Sequence, residues 1–328
     1  MNFRYLRKVL MSTSDSLRTG IKWTGAILSY LAWTRGETAK GSGRVQAGDI
    51  NIYYKWFGHG EPLLLLHGGF MVIEGWVAQI PALAGANLVI AMDSRGHGRT
   101  TLGTAGLGYR QMGLDAAALL DILHTGPVTV IGSSDGGNAA LGLAVERPDL
   151  VRGLILMGTS LNLENCIADK WQTTEEFLRP SSPELITLTY LRELVNPEKG
   201  SRGRFVAQMR KMWREPSDVR LEDLSAVKAP TLIIAGDRDE FLAMPGDPLA
   251  IFEELRDVIP GAAMTVIPGG SHGLNIELAS TGNSLIKEFV SEPYGVVDRR
   301  VAIPPESSHS LAARFAAILS GLAHVPNR

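Results

Sequence analysis

The chain of 328 residues is 45% hydrophobic and 20% charged, which suffices for a large, well-buried core and excludes disorder as the main state. Its 32 Lys and Arg against 34 Asp and Glu leave a formal charge of -2, so no overall basic field exists to hold a polyanion and no nucleic acid partner is expected. A single cysteine, Cys166, excludes an internal disulfide and every cysteine-built zinc or iron–sulfur site.

Residues 1–47 read as a basic N-terminal extension. Within the first 44, eight cationic side chains stand against Asp15 and Glu37, a net +6 that leaves -8 for the rest of the chain. The apolar run at 24–33 is about half of the roughly 20 residues that a membrane-spanning helix needs, so no transmembrane span is expected. A signal peptide is the weaker reading, because no small-x-small cleavage site follows the run. The stronger reading is a disordered or surface-lying arm that makes at most a peripheral membrane contact, on a protein expected in the cytoplasm.

From residue 50 the pattern becomes regular. Residues 52–56 and 62–66 are short apolar runs ended by glycines, and further runs follow at 88–92, 128–131, 154–157, 231–235 and 264–267. The later runs lack alternation, as strands buried on both faces of a parallel sheet require. Helical stretches at 109–124 and 138–147 lie between them. This succession predicts an α/β fold with a mostly parallel central sheet and helices on both faces, built from residues 48–161 and 229–290. Residues 162–228 interrupt it with charge, Trp and Leu at helical spacings and no strand-like run, and so predict an inserted helical cap. Trp171, Phe177, Met212 and Trp213 read as cap packing, with lining of an acyl pocket as the alternative, and Cys166 reads as a buried or incidental thiol.

The sharpest chemical signal is Gly132-Ser133-Ser134-Asp135-Gly136-Gly137, placed where an apolar strand ends and a small-residue helix begins. This is G-x-S-x-G in its required context, with Gly132 and Gly136 two positions either side of Ser134. Ser133 fails the same test, since Ile131 and Asp135 flank it at that distance. A phosphate-cradling turn is disfavoured, because neither G-x-G-x-x-G nor G-x-x-x-x-G-K is matched. A serine nucleophile needs a general base and a carboxylate to orient it. His272 follows the strand-like run at 264–267 directly, whereas His309 and His324 lie beyond the last strand. Asp237 and Asp239 both leave the run at 231–235; Asp239, further into the loop, is the preferred acid, and Asp237 the brace of the turn. No histidine spacing suits a metal, and no metal or cofactor is expected. Residues 291–328 read as a C-terminal extension whose amphipathic helix carries Leu311, Phe315, Ile318, Leu319 and Leu322 on one face. That helix docks on its own domain or, alternatively, supports an oligomer or membrane contact.

The order Ser134, Asp239, His272, with His67-Gly68-Gly69-Phe70 after an early strand and Asp93-Ser94-Arg95-Gly96-His97-Gly98 after the next, resembles the α/β-hydrolase superfamily. The resemblance covers roughly residues 50–290. Gly132 to Asn138 followed by Arg147-Pro148-Asp149 looks most like its small-ester and carboxylesterase branch, to which valacyclovir hydrolase belongs. The resemblance implies an oxyanion hole from the backbone N–H groups of Gly69 and Asp135, with Phe70 the alternative to Gly69. It also implies that His67 and the loop at 93–98 shape the turn beside the site, while His97 reads as an ordinary loop residue. Phe70 and Asp135 are candidate pocket residues. A buried Asp135 carboxylate needs a partner, either a protein group such as an arginine or backbone N–H, or a cationic substrate amine.

The expected function is a serine hydrolase that cleaves a small ester, thioester or activated amide through an acyl-enzyme. A receptor or scaffold that retains the triad is the competing class, and carbon–carbon bond hydrolysis or cofactor-free peroxidation is the competing chemistry. Ser134, unlike the aspartate of dehalogenases and epoxide hydrolases, disfavours those two activities.

Overall fold

The computed structural model describes residues 39–161, 176–242, 247–295 and 297–301. Among them, nine strands form one sheet: β1 (Ala39–Ala47), β2 (Ile50–Phe57), β3 (Glu61–Leu66), β4 (Asn87–Met92), β5 (Val128–Ser133), β6 (Val151–Met157), β7 (Thr231–Gly236), β8 (Ala263–Ile267) and β9 (Arg299–Arg300). Their order is β1-β2-β4-β3-β5-β6-β7-β8-β9. The β1–β2 hairpin and the β2–β4 pair are antiparallel, and every pairing from β4 to β9 is parallel. The apolar runs are continuous because both faces are covered. Leu64 and Leu66 of β3 face one cluster with Leu119, Leu120 and Leu143, while Leu63 and Leu65 face the other with Ile80, Leu285 and Phe289. The α-helices among the described residues are α1 (Gln79–Leu83), α2 (Tyr109–Leu123), α3 (Asp135–Glu146), α4 (Pro183–Val195), α5 (Arg202–Arg214), α6 (Ala250–Val258), α7 (Leu274–Glu277) and α8 (Ala279–Ser291).

Two of the expected boundaries need correction. Residues 39–47, assigned to the N-terminal extension, form β1 and pair with β2 along their length. The sequence AKGSGRVQA hides this strand because its packing comes from its partner: a Cβ on Gly41 or Gly43 would meet the Trp56 or the Tyr54 ring. Glycines there let the aromatic rings of β2 lie flat over β1. Residues 299–300, assigned to the C-terminal extension, likewise join the sheet beside β8. The rest of the N-terminal arm, Cys166, Trp171, His309, His324 and the amphipathic C-terminal pattern lie outside the described residues.

Between β6 and β7 the described part of the insertion is helical, with α4, α5 and a 3-10 turn at Leu221–Ala226. α5 buries Phe205, Met209 and Met212, spaced to share one face. The cap is bolted to the loop after β4: Arg192 Nε donates to Gly96 O at 2.5 Å, and Asn196 Nδ2 donates to Gly98 O and Thr100 O at 2.9 and 2.8 Å. Among the described residues, no helix is long and apolar enough to cross a membrane.

Candidate active site

The site stands at the carboxyl ends of the parallel strands, where an open α/β sheet leaves its crevice. β5 ends at Ser133, and Ser134 turns the chain into α3 with φ 55° and ψ -124°. A non-glycine residue in the left-handed region is strained and persists only where its surroundings enforce it. Ser134 N–H donates to Met157 O at 2.9 Å, and Ser134 O accepts from Gly137 and Asn138 N–H at 2.8 and 3.1 Å. The two expected glycines are required sterically: a Cβ on Gly132 would run into Gly136 O, and one on Gly136 into Leu66 O.

His272, after β8, bridges the other two predicted residues. Its Nε2 lies 2.9 Å from Ser134 Oγ and its Nδ1 2.8 Å from Asp239 Oδ2. Asp239 accepts only, so Nδ1 carries the proton and Nε2 is left to accept from the serine hydroxyl. The Asp239 side chain is fully buried, and its Oδ1 accepts from Phe241 and Leu242 N–H, both at 2.9 Å. Burial opposes its charge, but His272 and these backbone donors hold its carboxyl below the ordinary value. Burial also favours a neutral His272, yet the Asp239 charge and hydrogen bond, with Glu240 and Asp135 nearby, raise the ring above its ordinary value. Asp237 takes the bracing position expected of it, accepting from Gly269 N–H at 2.6 Å.

After β3, the His67–Phe70 turn approaches the elbow from the other side. Phe70 has φ 59°, and its N–H donates to His97 Nε2 at 3.1 Å, which commits that donor and leaves Gly69 as the candidate of the pair. His97 is therefore not an ordinary loop residue, contrary to the expectation. Its Nδ1 lies 2.9 Å from Arg95 O, and burial, His67 and Arg192 together hold the ring neutral, so Nε2 can accept. His67 shapes the turn as expected, accepting from Ser94 N–H at 3.0 Å.

Asp135 opens α3 with its carboxylate buried. Oδ1 accepts from the Tyr109 hydroxyl and Oδ2 from Trp213 Nε1, each at 2.8 Å. Both partners belong to the chain, though neither is the arginine or backbone N–H foreseen. Burial raises the Asp135 carboxyl above its ordinary value, and the two neutral donors and His272 offset this only in part. Burial and the Asp135 charge likewise keep the Tyr109 phenol protonated. Phe70 meets Phe177, Phe205 and Trp213 edge-on at centroid distances of 5.4, 5.4 and 5.5 Å, so the turn after β3 packs against cap aromatics. Met212 is buried within the cap. Among the described residues, no group of three His, Cys, Asp or Glu is placed to hold a metal ion.

The chain is 29% identical over 260 residues to the 2-hydroxymuconate semialdehyde hydrolase of Pseudomonas sp. (strain CF600), covering 72% of this chain and 88% of that one. It is 25% identical over 267 residues to the serine hydrolase BPHL of Mus musculus, covering 77% and 87%. Among solved structures, the enol-lactonase from Burkholderia xenovorans LB400 superposes with a TM-score of 0.61 at 21% identity, covering 76% of this chain and all of that one. The model of the alpha/beta hydrolase family matches residues 63–279, a span that holds the elbow, the Asp239 loop and His272. The chain therefore belongs to the alpha/beta hydrolase family and is an enzyme of the hydrolase class.

Proposed function

We propose that the protein is a serine hydrolase that cleaves small esters, or thioesters and activated amides, through an acyl-enzyme on Ser134. His272 Nε2 takes the hydroxyl proton as Oγ attacks the carbonyl carbon, then returns it to the leaving group. Asp239 holds the ring in the tautomer this requires and stabilises the imidazolium that forms. The N–H groups of Gly69 and Asp135 meet the developing oxyanion, and water activated by the same histidine releases the acid. The observation that carries this reading is the single ring of His272 within hydrogen-bond reach of both Ser134 and Asp239. The test is labelling by a fluorophosphonate together with turnover of short-chain aryl esters. Ser134→Ala is expected to abolish both, with a loss of about a millionfold in turnover, while Ser133→Ala stays mild. Retention of more than about a hundredth of wild-type turnover by Ser134→Ala would remove the serine from its role.

A second reading, carbon–carbon bond hydrolysis, is favoured by the match to a 2-hydroxymuconate semialdehyde hydrolase over 72% of the chain. Turnover of that semialdehyde at a higher kcat/KM than any aryl ester would replace the ester reading with it. Both Asp135 oxygens are met by donors of the chain, so we assign its charge to the protein and not to a substrate amine. An amino-acid ester and its des-amino analogue are accordingly expected to react at equal rates.

A further inference from the structure

The Trp213 ring packs against Phe70 and Phe177, and packing alone would account for its presence in the cap. Its indole nitrogen does more, donating from α5 to Asp135 Oδ2 at 2.8 Å while the Tyr109 hydroxyl donates from α2 to Oδ1. The same contact borders Gly69. A Cβ built on Gly69 would run into Asp135 Oδ2 and lie 2.7 Å from Trp213 Cζ2 and 3.2 Å from Met209 Cε. The cap helix, the first residue of the elbow helix and the turn after β3 thus close on one point. Gly69 and Asp135, to which the proposed mechanism assigns the oxyanion N–H groups, are both part of that closure.

We propose that Trp213 is a positioning residue, whose hydrogen bond to the Asp135 carboxylate holds the elbow and the Gly69 turn in register so that both oxyanion donors converge when the cap is seated. The inference rests on the hydrolase reading above and adds the cap to the machinery of that site. Oxyanion donors act through preorganisation, and they must already stand within hydrogen-bond reach of the oxygen as its charge develops. Asp135 cannot swing away at small cost, because its buried carboxylate would then lose a donor with no water to replace it. A displacement of about 1 Å at such a point costs up to about a hundredfold in rate.

The test is a double-mutant cycle with p-nitrophenyl acetate, the folding of each variant being checked by thermal melting. Trp213→Phe keeps an aromatic ring and removes the N–H. It is expected to lower kcat about tenfold or more with KM within about twofold, since the lost contact matters to the transition state and not to the ground state. In an Asp135→Ala background, which keeps the backbone N–H of position 135, the same substitution is expected to leave kcat within about twofold, because its target is gone. Asp135→Leu, whose side chain likewise offers no acceptor to the indole, serves as the background if the alanine variant does not fold. An active wild type whose Trp213→Phe variant keeps its kcat, loses activity through KM, or loses the same factor in the Asp135 background would overturn the inference and leave the hydrolase reading intact. A wild type with neither turnover nor fluorophosphonate labelling would remove both.

Discussion

The loop after β7 and the first turn of α3 each bury an aspartate beside the same histidine, and they treat its charge in opposite ways. Asp239 suffers the cost of burial, yet His272 and two backbone N–H groups hold its carboxyl below the ordinary value. Asp135 suffers the same cost, is hydrogen-bonded by a phenol and an indole and feels His272 only through space, and its carboxyl ends above the ordinary value. Burial alone therefore does not decide the state of a carboxylate. A direct hydrogen bond to a ring that can take up positive charge, added to fixed backbone dipoles, outweighs desolvation, whereas two neutral side-chain donors with the same ring at longer range do not. The first arrangement maintains a charge beside the ring of His272; the second fixes a side chain between two helices.

Asp239→Asn is the largest test of this contrast. An amide in place of the carboxylate loses the charge that stabilises the imidazolium and lets the ring take the wrong tautomer. A fall of about ten-thousandfold in kcat is expected, with KM nearly unchanged. Asp135→Asn is expected to cost far less, about ten- to a hundredfold, through misplacement of the oxyanion donors. Steady-state kinetics on one aryl ester decides the matter: a greater loss at 135 than at 239 would reverse the roles assigned to the two sites.

A smaller effect is expected in the pH profile. In the proposed mechanism His272 is the base, so kcat/KM requires the neutral ring and should rise with pH through a midpoint above the ordinary 6.5, then level off. Glu240, whose Oε2 accepts from His272 N–H at 3.0 Å, contributes to that elevation. In Glu240→Gln the acceptor oxygen is kept and the charge removed, so the acid limb is expected to move to lower pH while the plateau rate holds. A limb that moved upward, or not at all, would detach Glu240 from the titration of the ring.

The contrast also marks what was legible in the sequence. Ser134, Asp239 and His272 could be read because each stands just after a strand-like run, where chain direction and loop position are fixed by the sheet. The partners of Asp135 could not, since Tyr109 lies 26 residues before it and Trp213 lies 78 after it. Contacts between different helices leave no local pattern, and the hold of His97 on Phe70, 27 residues apart, is hidden for the same reason. β1 escaped because its stability comes from the rings of β2 covering Gly41 and Gly43, so no apolar run announces it. Removal of residues 1–38 is expected to leave turnover and melting temperature unchanged. Removal of residues 1–47 exposes the edge of β2 and should lower the melting temperature by several degrees, as the loss of about 1–2 kcal/mol does in a domain of this kind. Equal stability of the two truncations would show that β1 contributes nothing to the sheet.

The smallest effect belongs to Asp237, the other aspartate of the β7 loop. Its Oδ1 accepts from Gly269 N–H at 2.6 Å, and its Oδ2 stands 3.6 Å from Arg300 Nη1. Asparagine retains an oxygen that can accept from Gly269, so the turn keeps its brace. What disappears is the attraction to Arg300, whose side chain is 60% exposed, and an ion pair with so wet a partner contributes about 0–1 kcal/mol. Asp237→Asn is thus expected to keep turnover within about twofold and leave the pH midpoint of His272 in place, since neither oxygen of Asp237 is shared with the ring. A loss comparable to that of Asp239→Asn would mean that the loop rearranges in solution to present Asp237 to His272, which would exchange the acid and the brace.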